Sequence, residues 1–266
     1  MGITSSGHLI MQTIRKRLSA GETLIGSWIN SGSPVVAELM ATTGFDFLCI
    51  DAEHSAVDLP QIQQMFQAMH SGNSDCANVV RLHGVDYSLV KRYLDAGAQG
   101  VIAPLVMNRR DAELLIEATK YPPMGNRGVG FCRANQYGMN LETNVVTANE
   151  DIFVAVQIEH IDAVDCIDEI LEVEGIDAVF VGPYDLSASM GLTAQFEHPD
   201  YIEARTRVLD ACKAKGIAPG IHVVPPDADL FIEQNKEGYK LMAYSLDITM
   251  VLEACQSGLS KIRASF

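Results

Sequence analysis

The chain has no C-x-x-C pair, no long apolar run and no excess of positive charge. Each absence removes a class of function. The six cysteines, Cys49, Cys76, Cys132, Cys166, Cys212 and Cys255, are scattered and mostly lie in apolar stretches. They read as buried free thiols of a reducing cytosol rather than a disulfide framework. A membrane-spanning helix needs about 18 consecutive apolar residues, and no run approaches that. Nineteen Lys and Arg stand against 34 Asp and Glu, a net charge of −15. Nucleic acid and anionic membranes both require a basic surface, so neither is expected as a partner. An anionic substrate would need local positive charge from an arginine or a metal.

Other absences narrow the chemistry. H-x-x-H and H-E-x-x-H are missing, which argues against a zinc site. The first apolar run ends in "WINSGSP", with no G-x-G-x-x-G for a dinucleotide. The only lysine within a predicted strand is Lys240, near that strand's start. Lys91, Lys120, Lys213 and Lys215 fall in helices or at their ends, so a Schiff-base mechanism is disfavoured. "MGITSSGHLIMQTIRKRLSAG" lacks the long apolar core of a signal peptide. Its "MGITSS" fits the loose myristoylation pattern without an adjacent basic cluster. A cytoplasmic location is expected.

What is present is a regular alternation. Eight short apolar runs are predicted as strands: Leu24–Ile29, Phe47–Ile50, Val79–Leu82, Gly100–Ala103, Ile152–Ile158, Ala178–Val181, Ile217–Ile221 and Tyr239–Ala243. They are mostly continuous rather than alternating, as parallel strands covered on both faces should be. Helices are predicted at Val35–Thr43, Gln61–His70, Asp86–Ala96, Arg109–Tyr121, Asp162–Val173, Tyr201–Lys215, Asp227–Asn235 and Ile248–Arg263. Gly44, Gly97, Gly175, Gly216 and Gly238 fall near helix ends, where a left-handed residue closes the last turn. Eight strand–helix units point to a (β/α)8 barrel. A single domain over residues 1–266 is expected, with an N-terminal extension over 1–20 and a C-terminal helical segment over 245–266. Residues 122–150 are the longest stretch predicted to be irregular.

In such a barrel the chemistry sits at the C-terminal ends of the strands. Those ends carry Trp28, then Asp51, Glu53 and His54 in "IDAEHSAVD", then Arg81, then Gln157 and Glu159 in "QIEH", then Asp185 in "VFVGPYDLSASMG", and His222. Glu159 and Asp185 end neighbouring strands, about 5 Å apart across the sheet. Two carboxylates there repel unless a cation or proton lies between them, which suits Mg2+ or Mn2+. The plainer alternative makes Asp185 a helix cap and Glu159 a surface acid. His54, three residues after Asp51, is either a carboxylate-oriented general base or a polar loop histidine. Arg81 either binds a substrate carboxylate or oxyanion or forms a structural ion pair with Asp51 or Glu53.

These motifs resemble the HpcH/HpaI aldolase family of metal-dependent pyruvate aldolases. The likeness runs from "GSWINSGSPVVAELMATTGFDFLCIDAEH" through "YPPMGNRGVG" and "QIEHIDAV" to "VEGIDAVFVGPYDLSASMG". The resemblance implies an aldehyde-lyase that joins or cleaves pyruvate and an aldehyde. It implies Glu159 and Asp185 as ligands of a divalent metal, Mg2+ or Mn2+ with Co2+ as a third option. Gln157 would stand beside the metal, Arg81 against the enolate oxygen, and His54 with Asp51 as the catalytic dyad. Asp95 would reach a neighbouring subunit's site. Trp28, Gly182, Pro183, Tyr184, Leu186, Ser187 and His222 would line the substrate pocket, with main-chain N–H groups near Leu186–Ser189 taking the pyruvate carboxylate. A homohexamer of dimers that exchange their C-terminal helices is implied as well. Tyr184 stands where relatives have a small residue and His222 where an aliphatic is common, which points to a small or polar aldehyde. Acyl-CoA lyases, phosphoenolpyruvate mutases and a non-catalytic binder of 2-oxo acids are the competing readings. The lack of a basic cluster for a nucleotide weighs against the CoA ester.

Overall fold

The computed structural model describes residues 13–266. The myristoylation pattern and most of the N-terminal extension lie outside them. Eight parallel strands, β1 to β8, close into a barrel in chain order. They are Leu24–Ile29, Phe47–Asp51, Ala77–Arg81, Gly100–Ala103, Phe153–Ile158, Ala178–Val181, Ala218–Val223 and Leu241–Leu246. The helices α1 to α12 span Ile14–Ser19, Pro34–Ala41, Leu59–Gly72, Tyr87–Ala96, Arg109–Thr119, Leu141–Asp151, Ile161–Asp165, Ile167–Ile170, Pro183–Ser189, Pro199–Lys215, Ala228–Lys236 and Asp247–Arg263. This is the barrel that the alternation predicted.

Two layers of apolar side chains explain the continuous runs. Strand residues facing out pack against the helices, as Ile50, Val80, Val101, Val154 and Val179 do. Those facing in fill the barrel, among them Leu24, Phe47, Cys49, Val79, Ile102, Phe153, Phe180 and Leu241. Gly26 shows how tightly: an added Cβ would lie 2.3 Å from the Phe47 ring, a distance no packed core tolerates. Helix α1 stops the end of the barrel where the strands begin. Its Ile14 and Leu18 join the inner layer, and Arg15 and Arg17 pair with Asp177 and Asp46 at 2.7 Å. The opposite end, where the strands finish, is left for chemistry.

The local signals behave as expected at most helix ends. Ser33, Asp58, Asp86 and Asn108 accept main-chain N–H groups as N-caps, and the five glycines named above all have positive φ. Three expectations need correction. The helix predicted over 162–173 is two, α7 and α8, broken at Cys166, where the chain departs from helical angles. Residues 122–150 are not irregular throughout: they hold a 3-10 turn at Arg133–Gly138 and helix α6. Only Ala148 of α6 is buried, so the segment lacks the apolar stripe that marks a helix in sequence. Strand β7 runs to Val223, which puts His222 inside the strand rather than after it, and Lys240 falls just before β8.

The thiols are also less buried than expected. All six are free; Cys49, Cys76 and Cys212 are buried, Cys132 and Cys166 partly so, and Cys255 is exposed. No helix among the described residues is long and apolar enough to cross a membrane. Helix α12 meets the barrel at β1 and β8 and then leaves it, so every residue from Val251 to Phe266 is exposed.

Candidate active site

Period-2 alternation carries the inward face of each strand up to the open mouth. Asp51 follows Phe47 and Cys49 on that face, Arg81 follows Ala77 and Val79, and Gln157 follows Phe153 and Ala155. A cavity of about 270 Å3 opens there, lined by Trp28, Asp51, His54, Arg81, Gln157, Gly182, Pro183, Tyr184, Asp185 and His222. Ten predicted site residues thus come from six strands to one place. Phe180, Asn30, Val181, Val224 and Leu246 complete the wall.

Arg81 is clamped. Its Nε donates to Asp51 Oδ1 at 2.9 Å and its Nη2 to Oδ2 at 2.6 Å. Nη1 lies 3.2 Å from Glu53 Oε2. The guanidinium also covers the Trp28 ring, 4.3 Å from its centroid. His222 stacks on that indole, with centroids 5.0 Å apart and planes 7° off parallel. Burial pushes the Asp51 carboxyl up, but the Arg81 hydrogen bonds and charge, with the His54 and Glu53 N–H groups, outweigh it and hold it below its ordinary value. The ion pair left open by the sequence is therefore present, and Arg81 still lines the cavity.

The Asp51–His54 relation differs from a side-chain dyad. Asp51 Oδ1 accepts the main-chain N–H groups of Glu53 and His54 at 3.0 and 3.2 Å. The His54 side chain is 63% exposed, and its nearest acid is Glu53, with Nε2 3.9 Å from Oε2.

Glu159 is 4% exposed, not a surface acid. Its Oε1 accepts the Leu105 N–H at 2.7 Å and its Oε2 accepts Gln157 Nε2. Burial first, and then the charges of Glu53 and Asp185, push its carboxyl up to about 7 against these hydrogen bonds. Asp185 is not a cap: Gly182 occupies the N-cap position of α9, and Asp185 sits in the first turn. Its carboxylate is exposed and makes no hydrogen bond among the described residues. Gly182 is required by closeness, since a Cβ there would lie 2.8 Å from Glu159 Oε2. Gly182→Ala is therefore expected to displace the Glu159 carboxylate and weaken divalent-cation binding at least tenfold while the barrel stays folded. Calorimetric titration with Mn2+, beside circular dichroism, checks it; unchanged affinity refutes it.

These groups fit a divalent cation. Asp51 and Asp185 line the cavity with Arg81, Glu53 pairs with Arg81 behind it, and Glu159 touches the lining residue Gln157. Glu53 Oε2 and Gln157 Oε1 are buried without a hydrogen-bond partner. Hard carboxylate and amide oxygens beside solvent-exposed space suit Mg2+ or Mn2+. Among the described residues no group of three or more His, Cys, Asp or Glu is placed to hold a metal ion, so Glu159 and Asp185 stand here as a pair of candidate ligands only.

Four predicted residues stand outside the cavity wall: Glu159, buried behind it, and Leu186, Ser187 and Asp95. Leu186 belongs to the outer core, and its N–H is taken by Gly182 O at 2.9 Å. Ser187 Oγ donates to Tyr184 O within α9 and accepts the Ala194 N–H from the loop beyond it. Asp95 ends α4, at the barrel end opposite the cavity, and pairs with Arg127 at 2.8 Å. The sequence reading missed Asn30, whose Nδ2 donates to Asp51 Oδ2 at 2.8 Å, although an amide directly after β1 was a visible signal. It also missed the Leu105 N–H, which reaches Glu159 from a residue at φ 51°. Nothing in a leucine announces that conformation.

A closed parallel barrel with an arginine, a histidine and acids gathered at its open mouth is a TIM barrel with a candidate enzyme site where the strands end. The chain belongs to the HpcH/HpaI aldolase/citrate lyase family, whose model matches residues 24–254. It is 35% identical over 257 residues to a hydroxypyruvate/pyruvate aldolase of Roseobacter denitrificans, covering 94% of this chain and 97% of that one. It is 36% identical over 237 residues to a 4-hydroxy-2-oxovalerate aldolase of Rhodococcus jostii, covering 89% and 90%. The crystal structure of an HpcH/HpaI aldolase/citrate lyase family protein from Burkholderia cenocepacia superposes with a TM-score of 0.89 at 36% identity, over 94% of this chain and 98% of that one.

Proposed function

We propose that the chain is a divalent-metal-dependent aldehyde-lyase that cleaves 4-hydroxy-2-oxo acids to pyruvate and an aldehyde, or joins them in reverse. The observation that carries this reading is the meeting of clamped Arg81, exposed His54 and Asp185 around one cavity, with Glu159 directly behind its lining residues Gln157 and Gly182. The relatives' printed names, aldolases of different oxo acids, agree with it. Glu159 and Asp185 would hold the cation, Mg2+ or Mn2+ with Co2+ as a third option, and when bound it supplies positive charge to the oxo-acid oxygens.

The chain's own residues do the rest. Arg81, held in plane by Asp51, presents N–H groups to the keto oxygen and stabilises the negative charge that develops there. His54 takes the proton from the 4-hydroxyl. The C3–C4 electron pair then passes into the enolate, and the former hydroxyl carbon leaves as the aldehyde. Asp51 serves the dyad by fixing Arg81 and the His54 main chain together.

The aldehyde would be small or polar. Tyr184 meets the Phe196 ring edge-on at 5.1 Å and takes up room beside Asp185. His222 Nε2 donates to Ser245 O at 2.9 Å, since a carbonyl only accepts, and burial drives the ring down to about 4, so it is neutral at working pH. A homohexamer, a trimer of dimers exchanging α12, is part of the proposal. Its support is the exposed row Ile248, Val251, Leu252, Leu259 and Ile262 on that helix. In that assembly Asp95 would serve a neighbour's site. Small 2-oxo acids and aldehydes are the proposed partners, and the cytoplasm the proposed location.

The test is release of pyruvate from a panel of 4-hydroxy-2-oxo acids, coupled to lactate dehydrogenase, before and after chelation. Turnover should vanish with EDTA, return with Mn2+ or Mg2+, and fall at least a thousandfold in Asp185→Ala. Activity that survives both treatments sinks the reading.

A further inference from the structure

With Arg81, His54 and the acids assigned to the reacting atoms, the wall left for the aldehyde includes Trp28, Phe180, Tyr184, His222, Val224 and Leu246. Most of that wall is apolar, and His222 is the exception. Ile221 and Val223 belong to the outer core, so His222 between them faces into the barrel. Its ring stacks on Trp28 with centroids 5.0 Å apart. Its Nε2 donates to Ser245 O at 2.9 Å, and this fixes the tautomer. A neutral imidazole has one N–H, so Nδ1 carries a bare lone pair. The two ring nitrogens point nearly opposite ways, which turns Nδ1 away from the β8 backbone. Nothing among the described residues donates to it.

A lone acceptor in an apolar wall selects among aldehydes. A hydroxyl can donate to Nδ1. An alkyl group cannot, and it would strip the nitrogen of water without replacing the bond. A carboxylate fails too, since it sets lone pairs against a lone pair. Protonation of the ring would reverse that preference, but burial holds its pKa down to about 4, so His222 stays an acceptor. Trp28 Nε1 is buried without a partner as well. The stacked rings therefore hold one unpaired donor and one unpaired acceptor, and a hydroxyl can meet both kinds. Tyr184, held edge-on against Phe196 at 5.1 Å, takes up room in the same wall and favours a short chain.

We infer that His222 is the specificity-determining residue of the aldehyde pocket, its Nδ1 accepting a hydrogen bond from the hydroxyl of a short hydroxyaldehyde. This assignment rests on the aldolase reading, in which His222 touches the aldehyde away from the reacting carbon. In the direction of cleavage the substrate is then a 2-oxo acid hydroxylated at C4 and again at C5 or C6. An aliphatic side chain at the same position would have no such preference.

The test uses aldehydes matched in size. Glycolaldehyde and propanal differ by a hydroxyl in place of a methyl group. Each is condensed with pyruvate by the full-length protein in the presence of Mn2+, and kcat/KM is measured from product formation. The two aldehydes differ in intrinsic reactivity, and that difference cancels when their ratio is compared between wild type and His222→Leu. The glycolaldehyde-to-propanal ratio should fall about tenfold or more in the variant, the effect of losing one hydrogen bond at a desolvated acceptor. Should His222→Leu not fold by circular dichroism, His222→Phe keeps a ring on Trp28 without the nitrogens and should show the same fall. A general loss of packing would slow both aldehydes alike and leave the ratio where it was. An unchanged ratio in a folded variant overturns the inference and leaves the aldolase reading standing. If the wild-type protein joins pyruvate to neither aldehyde, nor to any other, the aldolase reading fails and takes this assignment with it.

Discussion

Arg81→Ala is expected to cost both turnover and fold. The guanidinium is the partner of a carboxylate that is fully buried: the Asp51 side chain is 1% exposed and that of Arg81 11%. Removing one member of a buried ion pair strands the other, at about 3–5 kcal/mol. For a chain of this size that is a fall in melting temperature of roughly 10 °C. It would also open a void beneath Trp28, whose ring lies 4.3 Å from the guanidinium. Loss of a fixed donor to a developing oxyanion typically costs a further 10²–10³-fold in kcat. Arg81→Lys separates the two effects. It keeps the charge but cannot make the two-pronged contact with Asp51, so it should recover part of the stability and little of the rate. Calorimetry and steady-state kinetics on both variants check this; an Arg81→Ala protein that melts and turns over like the wild type refutes it.

The second large effect is a dependence on pH that belongs to Glu159. Burial, with the charges of Glu53 and Asp185, raises its carboxyl from the ordinary 4.5 to about 7 in the cation-free protein. Between those values the folded chain keeps a proton that the unfolded chain has lost. Stability of the cation-free protein should therefore fall as pH rises from about 4.5 to 7 and level off above, by about 3 kcal/mol in all. A cation displaces that proton. With a pKa near 7, its affinity should be about tenfold weaker at pH 6 than at pH 8. Binding should in turn restore the stability lost at high pH. Titration with Mn2+ at both pH values, and melting curves with and without it, measure the two arms. Glu159→Gln should remove the stability slope and most of the binding. Equal affinity at pH 6 and pH 8 would exclude Glu159 as the titrating ligand.

Much of this site is legible in the sequence because a parallel barrel converts order along the chain into position around a ring. Once eight apolar runs are read as strands, the residues that finish them must share one mouth, and Trp28, Asp51, Arg81, Gln157, Asp185 and His222 do. Continuous apolarity marks the strands themselves, since each is covered inside and out. Helix α6 is less legible, because a helix that buries only Ala148 needs no apolar stripe. Asp185 illustrates the middle ground. Its neighbourhood in "GPYDLS" is that of a helix start, and only the placement of Gly182 as the cap leaves the acid uncapped and exposed.

The order of elements, the parallel strands and the strand ends that carry chemistry were thus determined by the chain alone, through periodicity of burial and through glycine and proline at the turns. The tertiary structure decided who bonds whom. Asp51 takes the main chain of His54 and the fork of Arg81. Glu53 faces the ring. Glu159 is buried against Gly182 and the N–H of Leu105. Spacing places two residues on one face to within a side chain's length, some 5 Å. Hydrogen bonds and proton affinities change over less than 1 Å, and that last distance is set by contacts between residues far apart in the chain.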